Sequence, residues 1–163
     1  MPIMTTSISD LPSGAGVYAM YGGLGSNTYV AYIGIGENLK RRVGQHLYRR
    51  DSSVVTGVSA VSLNPDLVTK VEWWTRPDFS DPSTLQAAEL IAFEFFQPVL
   101  RSRGKVTSQA VSLAANEAFR ASIMEFFREP PSGTFIIQSL QALVERVSQL
   151  EKRINDLEKR DVK

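Results

Sequence analysis

Gly16-Val-Tyr-Ala-Met-Tyr21 and Thr28-Tyr-Val-Ala-Tyr-Ile-Gly-Ile35 are rich in aromatic and β-branched residues, and Gly22-Gly-Leu-Gly-Ser-Asn27 joins them. Aromatic and β-branched side chains favour strands, whereas glycine and asparagine favour turns. Two such runs around a glycine-rich loop predict a β-hairpin. A third run of this kind, Leu67–Thr75, predicts a further strand.

The residues that follow the hairpin predict a basic amphipathic helix. Within residues 38–48 there is no proline, and Leu39, Val43 and Leu47 recur at intervals of four residues. This spacing places the three apolar side chains on one helical face and leaves the charged side chains off it. Residues 51–66, rich in Ser, Val and Asp, are interpreted as a loop.

A second helix is predicted over residues 84–96. Ser83, with Gln86 three positions later, forms a capping box. The helix is apolar nearly all round, so we expect it to be central and buried. Glu89 is unusual in such a helix, because a buried carboxylate is costly unless it is paired or holds a metal ion. A further helix is predicted over 106–128 as a helical extension that reaches residue 129.

The C-terminal segment carries a heptad repeat. Residues 130–133 are interpreted as a linker, and residues 134–163 place apolar side chains alternately three and four positions apart. This pattern predicts a coiled coil, and Leu at every d position with β-branched residues at two a positions favours a parallel dimer. The predicted dimerisation residues are Leu140, Leu143, Val147, Leu150, Ile154 and Leu157.

Charges beside the heptad positions agree with a homodimer. Arg146 and Arg153 occupy g positions, and Glu151 and Glu158 occupy the following e positions. In a parallel, in-register pair each g arginine faces an e glutamate of the partner. The alternative is an amphipathic helix that packs on its own domain.

Composition narrows the classes of function. The 163-residue chain has 18 Lys and Arg, 17 Asp and Glu, one His and no Cys, with a net charge of +1. Lack of cysteine excludes disulfides, iron–sulfur clusters and thiol nucleophiles, and a single His excludes sites that need two. No apolar run approaches the roughly 20 residues of a membrane span, and the first residues do not resemble a signal peptide. We therefore expect a cytoplasmic protein without a membrane partner.

Five residues suggest chemistry when they are considered together. Tyr18 and Tyr32 lie on the two strands of the predicted hairpin, and Arg42 and His46 lie one turn apart on the following helix. Glu89 lies on the apolar helix. Taken singly, a strand Tyr usually packs, a helical Arg is usually solvated, and a lone His is usually a cap or a core residue. The set as a whole favours a functional site.

The order and spacing of these residues resemble the GIY-YIG nuclease family. Gly16-Val-Tyr18 and Tyr32-Ile-Gly34 look like its signature, and Leu11-Pro12 precedes them as in the family. Asn38-Leu-Lys-Arg-Arg42-x-x-x-His46 is similar to its first-helix motif, and Glu89, nine residues before Pro98, matches its metal-binding Glu. The resemblance covers about residues 10–101.

This resemblance implies an α+β domain, here placed at residues 1–105, with a three-stranded antiparallel sheet flanked by helices. It also implies hydrolysis of phosphodiester bonds with one divalent ion, Mg²⁺ or Mn²⁺, per site. Glu89 would be the metal ligand, Arg42 would bind the phosphate, and Tyr18 or Tyr32 would position or deprotonate the attacking water. His46 would orient a tyrosine or shuttle a proton.

Two positions depart from the family pattern: Val17 stands conservatively where the family has Ile, and residue 101 departs more seriously. Arg101 stands where the family often has Asn, three residues after Pro98. Arg cannot accept a hydrogen bond as Asn can, although it can still bind a phosphate oxygen. Basic residues also cluster on both sides of the predicted site, which favours contact with a nucleic-acid backbone over a merely solvated charged face. The predicted nucleic-acid contacts are Lys40, Arg41, Arg49, Arg50, Arg101, Arg103 and Lys105.

The sequence thus predicts a metal-dependent DNA endonuclease, homodimeric through a C-terminal parallel coiled coil and possessing a restriction-like or mobile-element-like role. Two alternatives stay open: a non-catalytic nucleic-acid-binding or scaffold protein on a nuclease fold, and a structure- or single-strand-specific repair nuclease. Trp73 and Trp74 are candidates for base stacking, although at least one of them should face the core.

Overall fold

The computed structural model describes residues 1–23, 25–48, 65–100, 104–137 and 140–161. Its strands are β1 (Ile3–Thr5), β2 (Gly16–Gly22), β3 (Tyr29–Gly36), β4 (Val68–Trp74) and β5 (Gly133–Ile136). Its helices are α1 (Leu39–Leu47), α2 (Pro82–Phe96), α3 (Ser108–Ala115), α4 (Glu117–Arg128) and α5 (Leu140–Asp161). The predicted α+β class is confirmed.

Across the described ranges the sheet has five strands in the order β1-β5-β4-β2-β3, so the predicted three-stranded sheet is wrong. The three predicted strands are present and antiparallel, with β2 between β3 and β4. β5 adds to the other side of β4 in the antiparallel direction, and β1 pairs with β5 in parallel. The sheet is therefore mixed, and β3 and β1 are its edges.

The two additional strands are short and pair with each other. β1 spans only Ile3–Thr5, and β5 spans only Gly133–Ile136, directly after a Pro-Pro-Ser sequence. Such brief segments carry almost no periodicity, and pairing partners distant in the chain stabilise them. The predictions of a linker over residues 130–133 and of a helix from residue 134 are therefore wrong over Gly133–Ile136, where the chain forms β5.

Opposite faces of the sheet pack against different helices. Tyr18 and Trp73 face α1, in a core with Leu39 and Val43. The other core contains Val17 and Trp74 together with residues of α2, α3 and α4. Both tryptophans are buried, at 1% and 2% exposure, so neither is available to stack on bases.

Two helix predictions differ from the structure at a capping residue. Asp81, not Ser83, is the N-cap of α2, and its carboxylate accepts a hydrogen bond from the Thr84 amide. The predicted 106–128 helix is two helices, α3 and α4, since Asn116 ends one and caps the other by accepting from the Phe119 amide.

α5 confirms a C-terminal helix, but the predicted coiled coil is not matched. It starts at Leu140, six residues later than predicted. Within the described part of the chain it pairs with no second helix. The described a and d side chains, Leu143, Val147, Leu150, Ile154 and Leu157, are 44–59% exposed. The side chain of Leu140 lies outside the described set.

Over the ranges that the structure describes, no helix combines the length and apolar character that crossing a bilayer requires.

Candidate active site

The five residues singled out from the sequence come together at the edge strand β3. Tyr18 lies on β2, Tyr32 on β3, and Arg42 and His46 on α1. Glu89 lies on α2, which packs against β3 from the other face of the sheet. Arg42 and Glu89 are both near enough to the two phenols to influence their pKa values. One site thus collects side chains from four elements.

Three aromatic rings, those of Tyr18, Tyr32 and His46, pack together in the site. The ring centroids of Tyr32 and His46 are 5.2 Å apart, those of Tyr18 and His46 are 5.9 Å apart, and those of Tyr18 and Tyr32 are 6.1 Å apart. All three pairs are tilted by 41–55° rather than stacked. Each ring therefore restricts the others, which holds both phenols in place.

Gly34 is required for the position of Tyr18. Tyr18 and Gly34 are direct partners in the β2–β3 pairing, so both lie on the same face of the sheet. A Cβ atom at residue 34 would approach Oη and Cζ of Tyr18 more closely than 3.0 Å. The phenol of Tyr18 thus lies directly over the glycine, a role that was not assigned from the sequence. Its position opposite Tyr18 in the hairpin is the signal that could have revealed it.

The first turn of α1 orients Arg42. A Cβ atom on Gly36 would lie 2.9 Å from Cβ of Arg42, so the glycine lets the arginine stem pass close to the end of β3. Nη1 of Arg42 donates a hydrogen bond of 3.4 Å to Oε1 of Gln45. Gln45 is a second site residue that sequence reasoning missed, although it lies three positions after Arg42 on the same helix.

Tyr18 is completely buried. Burial is the largest cause that raises the pKa of its phenol well above the ordinary value, and the charge of Glu89 adds to the rise while Arg42 opposes it. Within the described residues its hydroxyl makes no hydrogen bond of standard geometry, although Tyr32 and Arg42 lie nearby. Tyr18 is therefore neutral at ordinary pH and has no access to solvent.

Tyr32 is only partly buried and is the phenol that solvent can reach. Burial raises its pKa, and Glu89 raises it further, whereas Arg42 and the adjacent Tyr18 hydroxyl lower it. A phenolate on Tyr32 thus has one cation and one neutral donor close by to stabilise it.

Glu89 is the acidic group of the site and is 6% exposed. No cluster of three or more His, Cys, Asp or Glu side chains able to hold a metal occurs among the described residues. A lone carboxylate still fits Mg²⁺ or Mn²⁺, because Mg²⁺ is commonly held by one or two carboxylates with water and substrate phosphate in the other positions.

The predicted nucleic-acid contacts are only partly described. Lys40 is half-buried and Arg41 is exposed, both on the helix that carries Arg42, and Lys105 is exposed after α2. After α2 the chain runs beside β3, where the Leu100 amide donates to the Ala31 carbonyl at 2.9 Å. Arg49, Arg50, Arg101 and Arg103 lie outside the described residues, as do residues 51–64 of the predicted loop.

Loss of the N-cap of α1 should destabilise the helix that carries Arg42 and His46. The Asn38 side chain accepts a hydrogen bond of 2.9 Å from the Arg41 amide. We expect Asn38→Ala to lower the free energy of unfolding by about 1 kcal/mol in urea denaturation, because an N-cap acceptor is lost. Asn38→Asp keeps the acceptor and should stay close to wild type; equal losses for both variants would contradict the capping role.

Comparison of the chain with protein-family models, with curated proteins and with solved structures finds no match.

Proposed function

We propose that the protein is a metal-dependent endonuclease of the GIY-YIG type that hydrolyses phosphodiester bonds of DNA, and that it acts as a homodimer. The observation that carries this proposal is the convergence of Tyr18, Tyr32, Arg42, His46 and Glu89 at one edge of the sheet. A buried core would not need two phenols, an imidazole, a guanidinium and a carboxylate together, since burying such groups is costly.

Each side chain has a distinct part in the proposed reaction. The guanidinium of Arg42 binds non-bridging phosphate oxygens, and its hydrogen bond to Gln45 limits its freedom. Tyr32 contacts the attacking water, because Tyr18 has no solvent access. Tyr18 is a positioning residue that supports the Tyr32 hydroxyl, and the His46 ring packs against both.

The proton balance involves Tyr32. The water oxygen forms a new bond to phosphorus while one bridging P–O bond breaks, and the electron pair of that bond stays on the leaving sugar oxygen. Oη of the Tyr32 phenolate accepts the water proton, and the leaving oxygen takes a proton from solvent. Burial and Glu89 raise the pKa of Tyr32 overall, while Arg42 and the Tyr18 hydroxyl oppose the rise, so the phenolate is the minor form at neutral pH. Glu89 would hold the divalent ion, which when bound supplies positive charge at the phosphate.

A cleavage assay tests the reaction. Supercoiled plasmid and single-stranded DNA are incubated with the full chain in Mg²⁺, in Mn²⁺ or in EDTA. We expect metal-dependent nicking or linearisation of the plasmid and none in EDTA. Cleavage confined to single strands or branched DNA would favour the repair nuclease, and DNA binding without cleavage under every condition would favour the non-catalytic protein.

The dimer is proposed from the heptad pattern of α5. Its exposed a and d side chains form a narrow apolar stripe, and Arg146 and Arg153 would meet Glu151 and Glu158 of a second copy. Two active sites held in one dimer could cut both strands of a duplex, and a two-fold dimer would favour a palindromic target.

Dimerisation should depend on the d positions. Leu150→Lys places a charge in the stripe, and we expect sedimentation to show a monomer at concentrations where wild type is dimeric. Ser148→Lys, at a b position outside the stripe, should remain dimeric. A Leu150→Lys protein that stays fully dimeric would show that α5 is not the interface. Point substitution is preferable to truncation after residue 133, which would remove strand residues Thr134–Ile136 from the sheet.

A further inference from the structure

An open groove lies at the base of α5, between this helix and the edge of the sheet at β1 and β5. Its volume is about 460 Å³. Apolar side chains from both β-strands and from the helix line much of it. The lining residues are Met4, Thr5, Thr6, Ile136, Ile137, Leu143 and Arg146.

We propose that this groove receives Val144 of a second copy of the chain, so that the dimer interface continues from the coiled coil onto the sheet. This inference rests on the proposed dimer. It adds a contact that would hold the α5 helix of one copy against the sheet edge of the other. The occupant follows from the heptad register, from the character of Val144 and from the exposure of Met4.

Val144 differs from the other e positions of α5. Glu151 and Glu158 occupy the next two e positions and face g arginines in the parallel register, whereas the described helix begins at Leu140 and so has no g residue opposite Val144. An apolar residue at this position gains nothing from a charged partner. Val144 is 58% exposed, so a single copy leaves it largely in contact with water.

The parallel register brings the partner's Val144 to the groove. In a parallel coiled coil, a d side chain inserts among four residues of the facing helix, and these include the neighbouring e position. Leu143 is a d residue and also lines the groove. The partner's Val144 therefore lies beside Leu143, on the side where Arg146 and the sheet edge form the remaining walls.

The opposite wall of the groove offers matching apolar surface. Met4 on the edge strand β1 is 78% exposed, and Ile3 beside it is 52% exposed. A coiled coil of about three heptads is short for a stable dimer by itself, because short helices gain little from local interactions. Burial of Met4 and Val144 in two symmetric contacts would add apolar area that the helices alone do not supply.

A disulfide trap tests the contact directly, because the chain has no cysteine of its own. In the full chain, Met4→Cys combined with Val144→Cys should give a covalent dimer on mild oxidation, seen on a non-reducing denaturing gel. Met4→Cys combined with Ser148→Cys, and each single variant, should run mainly as monomers. Equal covalent dimer in the Val144 and Ser148 pairs would overturn the proposal.

Dimer dissociation constants give a second measurement that does not require disulfide geometry. Met4→Lys, an exposed change on β1, should raise the dissociation constant about tenfold or more, equivalent to at least about 1.4 kcal/mol. Adding Val144→Glu to Met4→Lys should recover much of the loss, because the new charges would meet across the interface. If Met4→Lys binds as wild type does, groove docking is wrong while the coiled coil stands. A wild-type chain that is monomeric throughout would instead refute the dimer itself.

Discussion

Glu89→Gln is expected to reduce DNA cleavage by at least about 100-fold, the scale of effect when a charge-stabilising group is removed from an active site. Glutamine keeps nearly the same volume on the buried face of α2, but it lacks the negative charge that a divalent ion requires. Plasmid cleavage under single-turnover conditions measures the loss. Circular dichroism and thermal unfolding check that the fold persists.

Whether Glu89→Gln lowers or raises the cleavage rate distinguishes two roles of Glu89. Its charge raises the pKa of both Tyr18 and Tyr32, so its removal alone would make a tyrosine phenolate easier to form. If Glu89 acted only through the tyrosines, Glu89→Gln would cleave faster at neutral pH. A metal-binding role predicts the opposite, together with weaker Mn²⁺ binding measured by water proton relaxation.

Glu94→Gln provides the matched control on the same helix. Glu94 is exposed, and its carboxylate accepts a hydrogen bond from Arg120, which lowers its pKa. An exposed ion pair of this kind contributes little to stability. We expect Glu94→Gln to retain wild-type cleavage; similar losses in both variants would point to a general effect on α2 rather than to a metal site.

Gly34→Ala is expected to lose both stability and cleavage. The added methyl group would overlap the end of the Tyr18 ring, and Tyr18 is fully buried against Tyr32 and His46. Overpacking of this kind typically costs about 1–3 kcal/mol. Urea denaturation measures the stability, and single-turnover cleavage measures the displacement of the two phenols.

A second substitution distinguishes this clash from a general intolerance of alanine in β3. Tyr18→Leu removes both Oη and Cζ, the two nearest atoms, so Gly34→Ala should cost less stability beside Tyr18→Leu than beside the wild-type tyrosine. The double variant should not recover cleavage, because the supporting hydroxyl is gone. Gly14→Ala is the control, since a Cβ atom there has no neighbour within 4 Å. Additive losses in the double variant would contradict the proposed close approach.

Much of the local structure near the site could be predicted from the sequence. The hairpin of β2 and β3 follows from β-rich runs around a glycine-rich loop, and α1 follows from Leu39, Val43 and Leu47 on one face, with Leu39 and Val43 fully buried. The burial of α2 follows from its apolar composition. These elements carry their signal in residues close together in the chain.

One difference from prediction concerns a strand whose partners are distant in the chain, and another, the cap of α2, is local. β5 has four residues and is stable in the sheet because β4 and β1 flank it. Asp81 replaced Ser83 as the cap of α2, since local hydrogen-bond geometry selects among several adjacent acceptors. The heptad pattern predicted the presence of the α5 helix but not its start at Leu140, and an apolar stripe does not identify the partner that would cover it.

The sequence by itself indicated which five side chains to consider together. Four of them have a local spacing along the hairpin and the first helix, and Glu89 is conspicuous as a carboxylate in an apolar helix. Only the tertiary structure decided which part each side chain can take in the proposed reaction. It buries Tyr18 over Gly34, leaves Tyr32 open to solvent, and brings Glu89 from the opposite face of the sheet to both phenols. Burial and charge at a site are sums over neighbours from distant segments, and these neighbours are assembled only when the sheet forms.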